Sequence, residues 1–178
     1  MIYRHYATPE AVARAVAEEA FVRPSREGWV HIAVSGGSTP RLLFELLASE
    51  PLASSVQWDR VHLYWVDERC VPPTDAESNY GMTEETLLRH VPIPEGQVHR
   101  IAGEKDPERE AKDYSWLVGS ELPFDGEYPI FDVVILGLGD DGHTSSIFPH
   151  QMELLETDQP YAVGVSPRGQ KRVAMTGP

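Results

Sequence analysis

Residues 30–47 read VHIAVSGGSTPRLLFELL. VHIAV (30–34) is apolar and rich in β-branched residues, as a buried strand requires. The glycine turn that follows leads into Leu42, Leu43, Leu46 and Leu47, which fall on one face of a helix. Strand, turn and helix within one short stretch form the basic unit of an α/β fold, and the rest of the chain repeats it. Upstream, a helix is expected from about Pro9 to Phe21, with Thr8 as N-cap and Pro9 in its first position. Downstream, Val61–Val66 (VHLYWV) reads as a strand, followed by a polar loop and a helix starting near Tyr80. Ser78 or Asn79 is placed to cap that helix. Asp106–Leu122 is rich in helix formers. Phe131–Leu136 (FDVVIL) reads as the clearest buried strand, with weaker strands expected at Tyr161–Val165 and Arg172–Thr176.

Near-continuous apolar strands that alternate with helices imply an α/β, Rossmann-like, mostly parallel sheet with helices on both faces. The 178 residues suit one domain, 1–178, and show no repeat or linker. Ligands of such sheets bind beyond the carboxyl ends of the strands. The loops after Val34, Val66 and Leu136 are therefore the informative ones.

Composition narrows the function. A formal net charge of −13 argues against nucleic acid and anionic lipid as partners. It leaves room for a small anion held by a few arginines and backbone N–H groups. No apolar run is long enough for a spanning helix. The N-terminus lacks the layout of a signal peptide. Cys70 is the only cysteine, which fits a reducing cytoplasm.

In the first loop, Ser35, Gly36, Gly37, Ser38 and Thr39 precede Pro40. Thr39 is placed to cap the helix with Pro40 in its first position. The free N–H groups, the helix dipole and the hydroxyls then favour an anion. On its own the loop reads equally well as an ordinary strand-to-helix turn. The second loop carries Asp67, Glu68 and Arg69. Arg69 is suited to stabilise an oxyanion if a neighbouring carboxylate fixes its fork, although a solvated surface ion pair would have the same sequence. In the third loop, Gly137 to Ser146 reads GLGDDGHTSS. His143 is displayed on a glycine turn with Asp141 two residues away, a base with its orienting carboxylate. A metal site is the weaker reading, because no second His lies at ligand spacing and no Cys is near. The remaining histidines, His5, His31, His62, His90, His99 and His150, show no clustering along the chain. Cys70 reads as a small buried hydrophobe. The absence of G-x-S-x-G gives no support to a serine nucleophile.

SGGSTPRLLFELLA (35–48), WVDERCVPPTDAESNYGM (65–82) and FDVVILGLGDDGHTSSIFP (131–149) together resemble the signature segments of 6-phosphogluconolactonases, in order and over essentially the whole chain. The wider superfamily includes glucosamine-6-phosphate deaminases. In those enzymes a glutamate stands where this chain has Phe148, and Asp-Glu-Tyr replaces Asp67-Glu68-Arg69, so the lactonase branch fits better. The resemblance implies hydrolysis of 6-phospho-D-glucono-1,5-lactone in the oxidative pentose phosphate pathway, without cofactor or metal. It casts His143 as the base that activates water, Asp141 as its partner and Arg69 beside the lactone carbonyl. Asp67 is expected at the substrate, and the Ser35–Thr39 loop at the 6-phosphate. Ser166-Pro167-Arg168 and Arg172-Val173 resemble a basic segment of the family, with Arg in place of Lys at 168, which adds Arg168 and Arg172 to the substrate site. An amino-sugar-phosphate deaminase and a non-catalytic sugar-phosphate-binding domain are the alternatives. A monomer or weak homo-oligomer is expected. Family members continue beyond the Arg172 strand with a further strand and helices. This chain stops at Pro178, so the sheet is expected to lack an edge strand and a helical cover.

Overall fold

The computed structural model describes residues 2–177. The chain enters helix α1 (Pro9–Val16), capped by Thr8, whose Oγ1 accepts from the Ala11 N–H at 3.2 Å. The helix does not stop at Phe21. A wider turn over Ala17–Val22 carries it into α2 (Arg23–Glu27). Pro24 explains the widening. It has no N–H, and just before it the Arg23 N–H reaches back five residues to the Glu18 carbonyl instead of four.

Then follow β1 (Val30–Val34), α3 (Ser38–Leu47), the short α4 (Leu52–Ser55), β2 (Val61–Trp65), β3 (Asp67–Arg69) and α5 (Asn79–Thr83). After α5 come β4 (Val98–His99), α6 (Pro107–Glu121), the small hairpin β5 (Phe124–Asp125) and β6 (Tyr128–Pro129), β7 (Val133–Val134), β8 (Tyr161–Val165) and β9 (Lys171–Met175). The expected α/β architecture is present. Four strands form a parallel sheet in the order β4-β2-β1-β7. Strands β3, β9 and β8 form a separate antiparallel sheet.

Val66 is the hinge between the two sheets. Its N–H bonds to the Val34 carbonyl at 2.8 Å, and its carbonyl accepts from the Met175 N–H at 2.7 Å. Ile32, Val34, Leu63 and Trp65 are fully buried, as are Phe21, Phe44 and Leu47 from the helices. Burying each such side chain contributes roughly 1.5–3 kcal/mol. Tyr161 Oη donates to the Trp65 carbonyl (2.8 Å), and Tyr114 Oη to the His99 carbonyl (2.7 Å). The two rings meet edge to face, so α6 and β8 are pinned to the carboxyl end of β2.

Two expectations need correction. Phe131–Leu136 is not a fully buried strand. Only Val133–Val134 belongs to the ladder, and Val134 and Leu136 are exposed. The segment does follow β1 for longer: the Asp132 N–H bonds to the His31 carbonyl (3.0 Å) and the Ile135 N–H to the Ala33 carbonyl (2.8 Å). Among the described residues it pairs with β1 alone, at one end of the four-stranded sheet, which apolar composition does not reveal.

The histidines do cluster. The register that sets Val30 beside Val61 also sets His31 beside His62, and His99 on β4 joins them. His62 Nδ1 lies 3.0 Å from His99 Nε2, and His31 Nδ1 lies 3.2 Å from Tyr64 Oη. Burial pushes all three imidazoles below the usual histidine range, His99 to about 4, against the opposing pull of Glu121 and, at His31, Asp132. The unfolded chain therefore binds more protons than the native protein as pH falls from about 6.5 towards 4, and stability must be lost across that window. The denaturant midpoint is expected to drop between pH 7 and pH 4.5, and to drop less in His99→Asn. The same acid sensitivity in wild type and variant would assign it to other groups.

Candidate active site

β1 delivers the first loop. Ser35 is buried, and its hydroxyl is given to the Ile135 carbonyl at 2.7 Å, binding β1 to the segment after β7. That hydroxyl is thus committed to the fold rather than held free for an anion. α3 begins at Ser38 with Gly37 as N-cap at φ 108°, two positions earlier than a Thr39 cap would require. Pro40 still sits in the first turn, where a missing N–H costs no helical bond. Ser38 and Thr39 are exposed, and with the first amides of a ten-residue helix they form an anion-favouring end. Gly36 has a separate constraint. A Cβ there would lie 1.8 Å from Asn79 Oδ1. Gly36→Ala must displace Asn79, whose amide bonds the Asp67 carbonyl at 2.8 Å. Losing that buried bond should cost roughly 1–3 kcal/mol, read as a lower urea midpoint, together with weaker substrate binding. A wild-type midpoint would show that the loop yields freely.

The second segment is not a loop, because Asp67–Arg69 is strand β3. The antiparallel register places Arg69 directly opposite Arg172 of β9. Like charges in opposed positions repel, so this pairing calls for an anion. Glu68 is buried, and its carboxylate accepts from the N–H groups of Arg69, Asn79 and Tyr80 (each 2.8 Å) and from Ser78 Oγ (3.0 Å). Burial pushes the Glu68 carboxyl up while these four donors hold it down. Glu68 thereby ties the end of the polar loop to β3. Ser78 caps α5, accepting from the Gly81 N–H at 2.9 Å.

Arg69 is fixed by a carbonyl, not by a carboxylate: Nη1 donates to Glu77 O at 2.5 Å. Arg172 donates to Ser146 Oγ (3.2 Å) and to Gln170 Oε1 (3.4 Å), and lies over the Phe148 ring. Burial and then the charge of Arg69 push the Arg172 guanidinium below its usual range. The Nε atoms of both arginines are buried without a partner among the described residues. Two facing cations make a wall suited to an anion, although their Nε atoms are themselves closed off from solvent.

The third loop carries the imidazole. His143 Nδ1 lies 2.5 Å from Asp141 Oδ1, which also accepts from the His143 N–H at 3.2 Å. The bond from His143 pulls the Asp141 carboxyl below its usual range, so Asp141 is ionised at neutral pH and fixes the tautomer with the proton on Nδ1. Nε2 has no partner among the described residues and is left as the basic atom. Gly139 and Gly142 make the turn possible. A Cβ on Gly139 would lie 2.3 Å from the His143 ring, and Gly142 has φ 85°. Phe148 backs the imidazole, with ring centroids 4.8 Å apart.

These three segments converge on one cleft of about 290 Å³, lined by residues 35–40, Asp67, Arg69, Asn79, residues 137–139, His143, Ser145 and Arg172. Arg168 is not among them. It is exposed and lines an adjoining recess of about 380 Å³, which shares Arg172 with the cleft. Two residues outside the expected site hold the cleft together. Asn79 joins Asp67 to the Gly36 turn, and Ser146 lies between Asp67 and Arg172. The sequence marks Asn79 only as a candidate cap, and nothing in Thr144-Ser145-Ser146 marks which hydroxyl turns inward. Among the described residues, no three His, Cys, Asp or Glu side chains come together to hold a metal ion. Burial pushes the Cys70 thiol up to about 11, which leaves it a poor nucleophile.

Residues 5–178 match the family model described as glucosamine-6-phosphate isomerases/6-phosphogluconolactonase. A 6-phosphogluconolactonase of Haemophilus influenzae is 39% identical over 176 residues, covering 99% of this chain and 74% of that protein. One from Treponema pallidum is 46% identical over 147 residues, covering 82% of this chain and 61% of the relative. The solved 6-phosphogluconolactonase of Trypanosoma brucei superposes with a TM-score of 0.84 at 32% identity, covering 97% of this chain and 75% of that one.

Proposed function

Because the chain belongs to the family of glucosamine-6-phosphate isomerases and 6-phosphogluconolactonases, we propose that it hydrolyses 6-phospho-D-glucono-1,5-lactone to 6-phosphogluconate, the lactonase step of the oxidative pentose phosphate pathway. The observation that carries this reading is the pairing of two functions in one cleft. An Asp141-held imidazole shares it with an anion cradle made by the start of α3 and two opposed arginines.

The lactone lies with its phosphate at the α3 N-terminus and Arg172, and with C1 towards His143 and Arg69. Nε2 of His143 takes a proton from water as the water oxygen bonds to C1. The negative charge that gathers on the carbonyl oxygen is met by Arg69. The protonated imidazole, stabilised by Asp141, then returns its proton to the ring oxygen as the C1–O bond breaks. Water, lactone and product acid balance without a covalent intermediate.

The deaminase reading needs a carboxylate where the Phe148 ring packs against His143 and Arg172, and a non-catalytic binder has no use for the Asp141–His143 pair. Residues 1–178 act in this reading as one sugar-phosphate-binding domain in the cytoplasm. No helix of the described residues is long and apolar enough to cross a membrane. The test is proton release on adding fresh lactone at constant pH, compared with spontaneous hydrolysis. Acceleration proportional to enzyme concentration is expected, and a rate equal to the spontaneous one would refute the assignment.

A further inference from the structure

Ser146 lies three residues beyond His143 and is fully buried. Its hydroxyl is 2.5 Å from Asp67 Oδ2 and 3.2 Å from Arg172 Nη1. The direct approach of Arg172 Nη1 to Asp67 Oδ2 is 3.9 Å, too long for a hydrogen bond. A serine has one proton and accepting lone pairs, so the order is fixed: Arg172 donates to Ser146, and Ser146 donates to Asp67. Asp67 is buried and is further restrained by Asn79 Nδ2 at 3.4 Å, so it is held back from closing on the arginine itself.

We infer that Ser146 is a positioning residue for Arg172, holding its guanidinium at the distance from Asp67 that leaves its free donors to the anionic end of the substrate. The inference rests on the lactonase reading for the identity of that anion. Arg172 is under two opposing demands. Arg69 across the ladder repels it, while Asp67, the buried countercharge, attracts it. A direct bidentate pair with Asp67 would satisfy the guanidinium and withdraw it from the cleft. With no link to Asp67, the repulsion would drive it towards solvent. The interposed hydroxyl passes on the stabilising charge and keeps the spacing. Among the described residues, Nη1 and Nη2 of Arg172 bond only Ser146 Oγ (3.2 Å) and Gln170 Oε1 (3.4 Å), which leaves guanidinium protons for an anion.

The test is a double-mutant cycle on Ser146→Ala and Arg172→Ala, with kcat and KM for the phosphorylated lactone and affinity for inorganic phosphate measured in all four proteins. Ser146→Ala is expected to raise KM about tenfold with kcat within about threefold, and to weaken phosphate binding in parallel. In the Arg172→Ala background the same change should have no further effect beyond about twofold. Full multiplicative losses in that background, or a fall in kcat with KM unchanged, would overturn the inference. If Ser146→Ala does not fold, Ser146→Thr and Ser146→Val replace it, since they share a shape and differ by the hydroxyl. Thr is then expected to keep the wild-type KM and Val to lose it, and equal behaviour of the two would overturn the inference. If the wild type leaves the phosphorylated lactone untouched, the lactonase reading fails. The coupling in phosphate affinity still decides whether Ser146 positions Arg172.

Discussion

His143→Asn is expected to lower kcat for the phosphorylated lactone by about two to four orders of magnitude, with KM changed by no more than about threefold. The substitution removes the basic Nε2 but leaves a side chain that can still face Asp141. The anion-binding parts lie elsewhere, on α3, β3 and β9, so substrate should bind nearly as well. Asp141→Asn should slow the same step by less. The imidazole would remain, without the ionised partner that lies 2.5 Å from Nδ1 and selects the tautomer. Rates of proton release, corrected for spontaneous hydrolysis, measure both variants. Near-wild-type turnover in His143→Asn would remove this residue from the chemistry and leave the cleft as a binding site alone.

Parts of this site were legible because their signals are local. The β1–turn–α3 unit and the Asp141–His143 turn each lie within a few residues, and strand propensity, glycine and helical spacing are enough to place them. Strand β3 was not legible. Asp67-Glu68-Arg69 carries the charges of a surface loop and becomes a strand only because β9, from the far end of the chain, pairs with it. The opposition of Arg69 and Arg172 follows from that register and from nothing nearer in sequence. His31, His62 and His99 met for the same reason, since parallel strands bring together residues that are distant along the chain. The cap of α3 lies two positions before Thr39. Thr39 followed by Pro40 is a good local signal, but Gly37, free to adopt positive φ, starts the helix first and leaves the Ser38 and Thr39 hydroxyls exposed. Ser35 shows the converse: a hydroxyl that suits an anion on paper is spent on the Ile135 carbonyl.

Unphosphorylated glucono-1,5-lactone should be a poor substrate by kcat/KM, and free phosphate should compete with the phosphorylated one. The start of α3 and Arg172 offer the donors for the phosphate, whereas His143 and Arg69 act on the carbonyl at the other end of the substrate. Binding energy from a remote group can be used to orient the reacting carbon, so losing it should lower kcat as well as weaken binding. Arg172 and Arg168 should then differ. Arg172 lines the cleft and keeps guanidinium protons beyond its bonds to Ser146 and Gln170, and a charge-assisted bond of this kind contributes roughly 1.5–3 kcal/mol. Arg172→Ala should therefore cost about tenfold to a hundredfold in kcat/KM for the phosphorylated lactone. Arg168 is exposed and lies in the adjoining recess, where a solvated cation contributes about 1 kcal/mol or less, so Arg168→Ala should cost at most about fivefold. Neither change should affect the slow turnover of the unphosphorylated lactone. Steady-state kinetics of both lactones with wild type and both variants separate the possibilities. Equal kcat/KM for the two lactones in the wild type would remove the phosphate from the cradle. A larger loss from Arg168→Ala than from Arg172→Ala would move the phosphate into the neighbouring recess and leave the opposed arginines to serve the carbonyl.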